Sequence, residues 1–164
     1  MTVGKYLIRA ATTLDSTALA LLLNRIVEEG DKTAIDTTFD AREFQQWFIT
    51  GPHCRSCVVA EATDGRLLGF QALERYHDLP EGWADIATFL DASARGKGIG
   101  KALREKTFEA AEALGIGVLR AVVRAQNAQA IAYYRECGFM PSDGYSSKEP
   151  AQQDADKVTL TRRL

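Results

Sequence analysis

The stretch Asp85–Lys101, DIATFLDASARGKGIGK, decides how the rest of the chain is read. With Trp83 and Ala84 before it, its apolar first half predicts a buried strand over Trp83–Leu90. Asp91–Ala94 makes a short polar exit. Arg95-Gly96-Lys97-Gly98-Ile99-Gly100-Lys101 then runs straight into an amphipathic helix. A glycine-rich turn between strand and helix aims consecutive backbone N–H groups, and the positive end of the helix dipole, at one point. Flanked by Arg95, Lys97 and Lys101, that point should hold a phosphate or pyrophosphate.

Spacing excludes two common phosphate carriers. A dinucleotide fingerprint needs G-x-G-x-x-G/A and an acid after the next strand. Counted from Gly98 the third glycine falls on Leu103, and counted from Gly96 it falls on Lys101. The next strand ends in Val123-Arg124-Ala125-Gln126, without an acid to hold a ribose. A Walker loop needs Gly, four residues and Gly-Lys-Ser/Thr. Here Ala102 follows Gly100-Lys101, and Arg95 stands where the first glycine belongs.

Arg95, Gly98 and Gly100 do form Arg-x-x-Gly-x-Gly. Downstream stands Asn127-x-x-Ala130-Ile131-x-x-Tyr134-x-x-x-Gly138-Phe139. The pair, in this order and separated by one helix and one strand, resembles the two signature segments of the GCN5-related N-acetyltransferases, most of all the phosphinothricin-acetyltransferase-like branch. The resemblance implies an acyl-CoA N-acyltransferase fold: an α/β, mixed and twisted sheet of about seven strands with helices on both faces. It also implies acetyl-CoA as cosubstrate.

Composition suits one domain spanning 1–164. With 46% hydrophobic residues in 164, the chain has material for a single sizeable core. A net charge of −2 argues against an electrostatic nucleic-acid binder. No apolar run approaches the ~18–20 residues of a membrane span, and no signal pattern opens the chain. The expectation is a soluble, cytoplasmic protein without nucleic-acid or membrane partners. Cys54, Cys57 and Cys137 suit free thiols in a reducing compartment. Cys54-Arg-Ser-Cys57 lacks a second ligand pair for zinc and does not open a helix as a redox motif would. No metal is expected.

Before the phosphate loop, Lys5–Ala11 reads as a strand, and Asp15 or Ser16 can cap a helix carrying Leu19, Leu22, Leu23, Ile26 and Val27 up to Gly30. Asp40 can cap a second helix whose Phe44, Trp47 and Phe48 are expected in the core, although the resemblance would let them line an acceptor pocket. Cys57–Ala62 and Leu67–Leu73 form a hairpin across Asp64-Gly65, and Glu74–Gly82 is a polar loop. After the loop, Ile99, Ala102, Leu103, Ala110 and Leu114 predict the buried stripe of a helix ended by Gly115. Val118–Val123 is a strand parallel to the one before the loop. Ala128–Cys137 is a short helix closed by Gly138, and Phe139 starts the next strand. Pro141–Asp156 is a polar loop, and Val158–Leu164 a final strand.

Acetyl transfer to an amine requires a held thioester, a neutral amine and relief of charge at sulfur. By resemblance, the strands at Trp83–Leu90 and Val118–Val123 splay apart, and pantetheine adds there as a pseudo-strand against the main chain near Phe89 and Leu90. A backbone N–H in that place can polarise the thioester carbonyl. The cofactor-binding set is therefore Phe89, Leu90, Arg95, Gly96, Lys97, Gly98, Ile99, Gly100, Lys101 and Asn127. Tyr134 stands at the family's general-acid position and would protonate the departing thiolate. Asp85, where the branch usually has glutamate, is the candidate base; its alternative is a partner for a nearby arginine, and Glu61, Glu74 and Glu81 are lesser candidates. Asn127 can also serve as an N-cap, and Tyr133 reads as packing. The expected reaction moves acetyl to a primary amine of a small molecule, an amino acid or analogue, by direct attack in a ternary complex. Alternatives are a protein N-terminal or lysine acetyltransferase and a non-catalytic acyl-CoA sensor. The resemblance also allows a homodimer.

Overall fold

The computed structural model describes residues 5–142 and 156–164. Most of the expected polar loop Pro141–Asp156 lies outside them. In chain order the elements are β1 (Tyr6–Ala10), α1 (Ser16–Glu29), α2 (Ala41–Phe44), β2 (Cys54–Ala62), β3 (Leu67–Glu74), β4 (Trp83–Leu90), α3 (Ile99–Ala113), β5 (Val118–Arg124), α4 (Ala128–Glu136), β6 (Met140–Pro141) and β7 (Lys157–Arg163). Helix α2 continues into a π-helical turn over Gln45–Ile49.

The strands form one seven-stranded sheet ordered β1-β2-β3-β4-β5-β7-β6. Every neighbouring pair is antiparallel except β4 and β5. Those two pair in parallel at Trp83↔Val118, Ala84↔Leu119 and Asp85↔Arg120, and no further. Gly82 fastens that end, its carbonyl accepting from the N–H of Gly117 at 2.8 Å and of Val118 at 3.2 Å. Beyond Asp85 the strands separate, as the resemblance predicts, and the sheet carries an internal gap.

Each face has its own helices. Val59, Phe70, Ala72 and Phe89 pack beneath α1 and α2 with Leu19, Leu22, Leu23, Phe44 and Phe48. On the other face Leu73, Ile86, Leu119, Ala121 and Val123 pack with Ala111 of α3 and Tyr134 of α4. Val58, Ala60 and Leu68 meet Ile99 and Leu103 beside them. Helices on both faces follow from strands whose two sides are both apolar.

Several local expectations change. The buried row of α3 is Ile99, Leu103, Thr107 and Ala111, an i, i+4 line, and Leu114 is 52% exposed. Asp15 occupies the N-cap of α1, but its carboxylate is turned to Arg9, taking both guanidinium N–H groups at 2.8 Å, and to the Thr12 N–H. Asp40 does cap α2, reciprocated by Glu43. Strand β2 begins at Cys54, so the Cys54–Cys57 segment is strand throughout. Phe44 and Phe48 are fully buried as expected, whereas Trp47 is 45% exposed. Glu74 belongs to β3 and is 6% exposed, not part of a polar loop.

Candidate active site

Asp91 shapes the exit from β4. Its carboxylate accepts the Ser93 N–H at 3.2 Å and its carbonyl accepts the Ala94 N–H at 2.8 Å. Gly96 and Gly98 then take φ of 73° and 82°, a conformation that favours glycine, and Gly98 is the N-cap of α3. The opening N–H groups of α3 have no intrahelical partner and point outward. Gly100 is required for a second reason. A Cβ there would lie 2.8 Å from Cε2 of Tyr133.

This loop forms one wall of a cavity of about 670 Å³ that enters the gap between β4 and β5. Phe89, Leu90, Arg95, Gly96, Gly98, Ile99, Gly100 and Lys101 line it, together with Asn127 and Tyr134. Lys97 is exposed and is not among the lining residues. Arg95 is committed within the protein: its NH groups donate to both carboxylate oxygens of Glu29 at 2.9 and 2.6 Å, and Nε donates to the Leu90 carbonyl at 3.2 Å. That guanidinium holds the Glu29 carboxyl below its usual range and ties the loop to the end of α1. Lys101 also lines the cavity, joined by Arg104 and Lys32. Arg104 lies one turn after Lys101 and was legible as a helical neighbour, whereas Lys32, in the loop after α1, carries no local signal. Asn127 caps α4 by accepting the Ala130 N–H at 3.1 Å, and its amide donates to the Lys32 carbonyl at 3.2 Å.

The main chain of the gap follows from register. The Asp91 N–H donates to the Leu68 carbonyl, so alternate residues of β4, including Phe89, exchange bonds with β3. Thr88 and Leu90 therefore turn their N–H groups away from β3, towards the space that β5 has left. An extended amide-bearing chain fits that unpaired edge. A pyrophosphate fits the opening turn of α3 beside Lys101 and Arg104.

Tyr134 is 4% exposed and its phenol lies 2.8 Å from Thr88 Oγ1. Burial pushes that phenol above its ordinary range. Tyr133, expected only to pack, also lines the cavity and donates to the Gly100 carbonyl at 2.7 Å.

The closed end of the gap carries a second cluster on the α1–α2 face. Asp85 does not line the cavity; it accepts from Arg120 on both oxygens, at 2.6 and 2.9 Å, which is the alternative the sequence allowed. Burial raises the Asp85 carboxyl, opposed by that guanidinium. Glu74 is its partner across the β3–β4 register. Its carboxyl, pushed up to about 7 chiefly by burial, accepts from the Tyr76 phenol. Trp47 lies 6.4 Å from the Tyr76 ring, and His53 stacks 4.9 Å from it. Among the described residues, no three His, Cys, Asp or Glu side chains gather as metal ligands.

A mixed sheet split between its parallel strands, with a glycine-built helix N-terminus at the mouth of the split, defines an acyl-CoA-dependent N-acyltransferase. A family model of the acetyltransferase (GNAT) family matches residues 22–139, and the chain belongs to that family. The L-methionine sulfoximine/L-methionine sulfone acetyltransferase of Pseudomonas aeruginosa is 29% identical over 137 residues, 80% of this chain and 78% of that protein. Among solved structures, the phosphinothricin acetyltransferase of Sinorhizobium meliloti in complex with AcCoA superposes with a TM-score of 0.79 at 23% identity, covering 97% of this chain and 88% of that one. The ribosomal-protein-alanine N-acetyltransferase of Brucella melitensis gives 0.77 at 25% identity, covering 96% and 99%. The protein is an acetyl-CoA-dependent N-acetyltransferase. No helix among its described residues is long and apolar enough to cross a membrane.

Proposed function

We infer that the chain, acting as one domain over 1–164 in the cytoplasm, moves the acetyl group of acetyl-CoA to a primary amine of a small molecule, an amino acid or analogue. The amine attacks the thioester directly in a ternary complex. The observation that carries this reading is the placement of the Tyr134 phenol against Thr88 in the gap, on the cavity that also meets the phosphate loop. Relatives that act on methionine sulfoximine and phosphinothricin support the acceptor class.

Thr88 and Leu90 offer the N–H groups that receive the pantetheine arm and polarise the thioester carbonyl. Tyr134 gives its proton to sulfur as the C–S bond breaks. Asp85 was the sequence's choice of base, and its bidentate tie to Arg120 supports an anchoring role instead. Glu74, like Asp85 outside the cavity lining but with a carboxyl near 7 and bonded to a phenol rather than a guanidinium, is the better acceptor of the amine's proton at neutral pH, through water. An ordinary alkylamine titrates at about 10.4, so a base is needed.

The test is CoA-thiol release with acetyl-CoA and a panel of amino acids, their analogues, simple amines and an alanine-ended peptide. Turnover of small amines supports the reading. Turnover of the peptide alone would move the acceptor to protein N-termini, and binding of acetyl-CoA without turnover of any amine would leave a sensor.

A further inference from the structure

The inference rests on Tyr134 as the group that protonates sulfur. It concerns what makes that phenol a donor rather than an acceptor when the thioester breaks. Four side chains along the cavity form a hydrogen-bonded row, and donor chemistry fixes the direction of its first three bonds.

The Gly100 carbonyl can only accept, so the Tyr133 phenol donates to it, at 2.7 Å. Having spent its hydrogen, Tyr133 can only accept from Gln71, whose Nε2 lies 3.1 Å away. The same Nε2 lies 2.9 Å from Thr88 Oγ1. Flipping the Gln71 amide would set a carbonyl oxygen against a phenol with no hydrogen left, so both contacts are donations from nitrogen. Gln71 is 1% exposed, and its Oε1 has no partner among the described residues. Only the two donations orient this amide. Because Thr88 Oγ1 receives one of them, its own hydrogen is available for the Tyr134 oxygen at 2.8 Å. With Tyr134 accepting that bond, its own proton is left to point into the cavity that it lines.

We propose that Gln71, Thr88 and Tyr133 are positioning residues which hold the Tyr134 hydroxyl with its oxygen toward Thr88 and its proton toward the thioester sulfur. When the C–S bond breaks, sulfur takes the Tyr134 proton and the phenolate that forms already accepts a hydrogen bond from the Thr88 hydroxyl. Solvent then returns a proton to Tyr134. Of the two protons the ammonium loses in becoming an amide, one balances the thiol and one is released. The same row starts at Gly100, so the carbonyl that directs the acid belongs to the helix turn that receives the pyrophosphate.

The test is a double-mutant cycle with Thr88→Val, which keeps the side-chain shape and removes the hydroxyl, and Tyr134→Phe. In the unmodified protein Thr88→Val is expected to lower kcat on the order of ten- to a hundredfold, the scale of one hydrogen bond to a charged group. Its acetyl-CoA dissociation constant, read by calorimetry, should stay within about twofold, and Thr88→Ser should restore kcat. In the Tyr134→Phe background Thr88→Val should change kcat by less than about twofold, because the hydroxyl it directs is gone. Gln71→Met should act in the same direction with a smaller loss. Equal losses from Thr88→Val in both backgrounds, or no loss in the first, overturn the proposal while leaving Tyr134 as the acid. An unimpaired Tyr134→Phe overturns the acid assignment itself. Melting temperatures identify a variant that fails to fold, and Thr88→Ser, which keeps the hydroxyl, then carries the comparison with Gln71→Met.

Discussion

The two faces of the sheet at the β4–β5 gap are built on different principles. On the α3–α4 face, glycines, backbone N–H groups and a fixed row of hydroxyls surround the cavity, and the parts sit in two short sequence segments. On the α1–α2 face, the closed end of the gap holds Glu74, Asp85 and Arg120 beneath Trp47 and Tyr76, drawn from three strands, the π-helical turn after α2 and the loop after β3. The first face must meet one unchanging molecule, and backbone geometry recognises it. In the reaction proposed above, the second meets the acceptor through side chains, which follow no motif.

The sharpest way to break this contrast is Tyr134→Phe, which should lower kcat about a hundredfold or more while acetyl-CoA affinity, by calorimetry, is nearly unchanged. Next is Phe70→Ala in the core beneath α1 and α2. Phe70 is fully buried and stacks 4.7 Å from Phe89, so denaturant unfolding should register a loss of about 3–5 kcal/mol.

Glu74→Gln separates the faces by pH. An unfolded glutamate gives up its proton near its ordinary value of 4.5, the folded one only near 7. Its raised value therefore stabilises the fold fully below pH 4.5 relative to higher pH, and that contribution is lost as pH rises through 7. The unmodified protein should lose stability across this window, by an amount on the order of 3 kcal/mol. Glu74→Gln should lack that loss, melting closest to the unmodified protein near pH 4.5 and higher than it at pH 8. It should also lower kcat and remove an acid limb centred near pH 7. A pH–rate profile unchanged by Glu74→Gln would return the base to Asp85. Smaller still, Lys101→Ala should weaken acetyl-CoA by about 1.5–3 kcal/mol without changing the amine's KM. Trp47→Ala should raise the amine's KM while leaving acetyl-CoA binding intact.

Much of this arrangement was legible in the chain. The order of elements, the β4 boundaries and the Asp40 cap follow from local period and capping chemistry. So does the gap, through the resemblance of the Arg95–Gly100 and Asn127–Phe139 segments. What was hidden depends on partners remote in sequence. Nothing near Asp85 announces Arg120, thirty-five residues on, and nothing near Arg95 announces Glu29, sixty-six residues back. Gln71 looked like an ordinary strand residue because its meaning lies in Tyr133, sixty-two positions away. The buried row of α3 was misjudged for a simpler reason. Thr107 and Ala111 are less apolar than Leu114, yet they fall on the i+4 line set by Ile99 and Leu103.

The proposed reaction is direct transfer from acetyl-CoA to an amine with both bound at the gap. Initial velocities of thiol release, with acetyl-CoA varied at several fixed amine concentrations, test it most directly. Intersecting double-reciprocal lines are expected, because attack occurs in a ternary complex. Parallel lines, the signature of an acetylated enzyme intermediate, would contradict it.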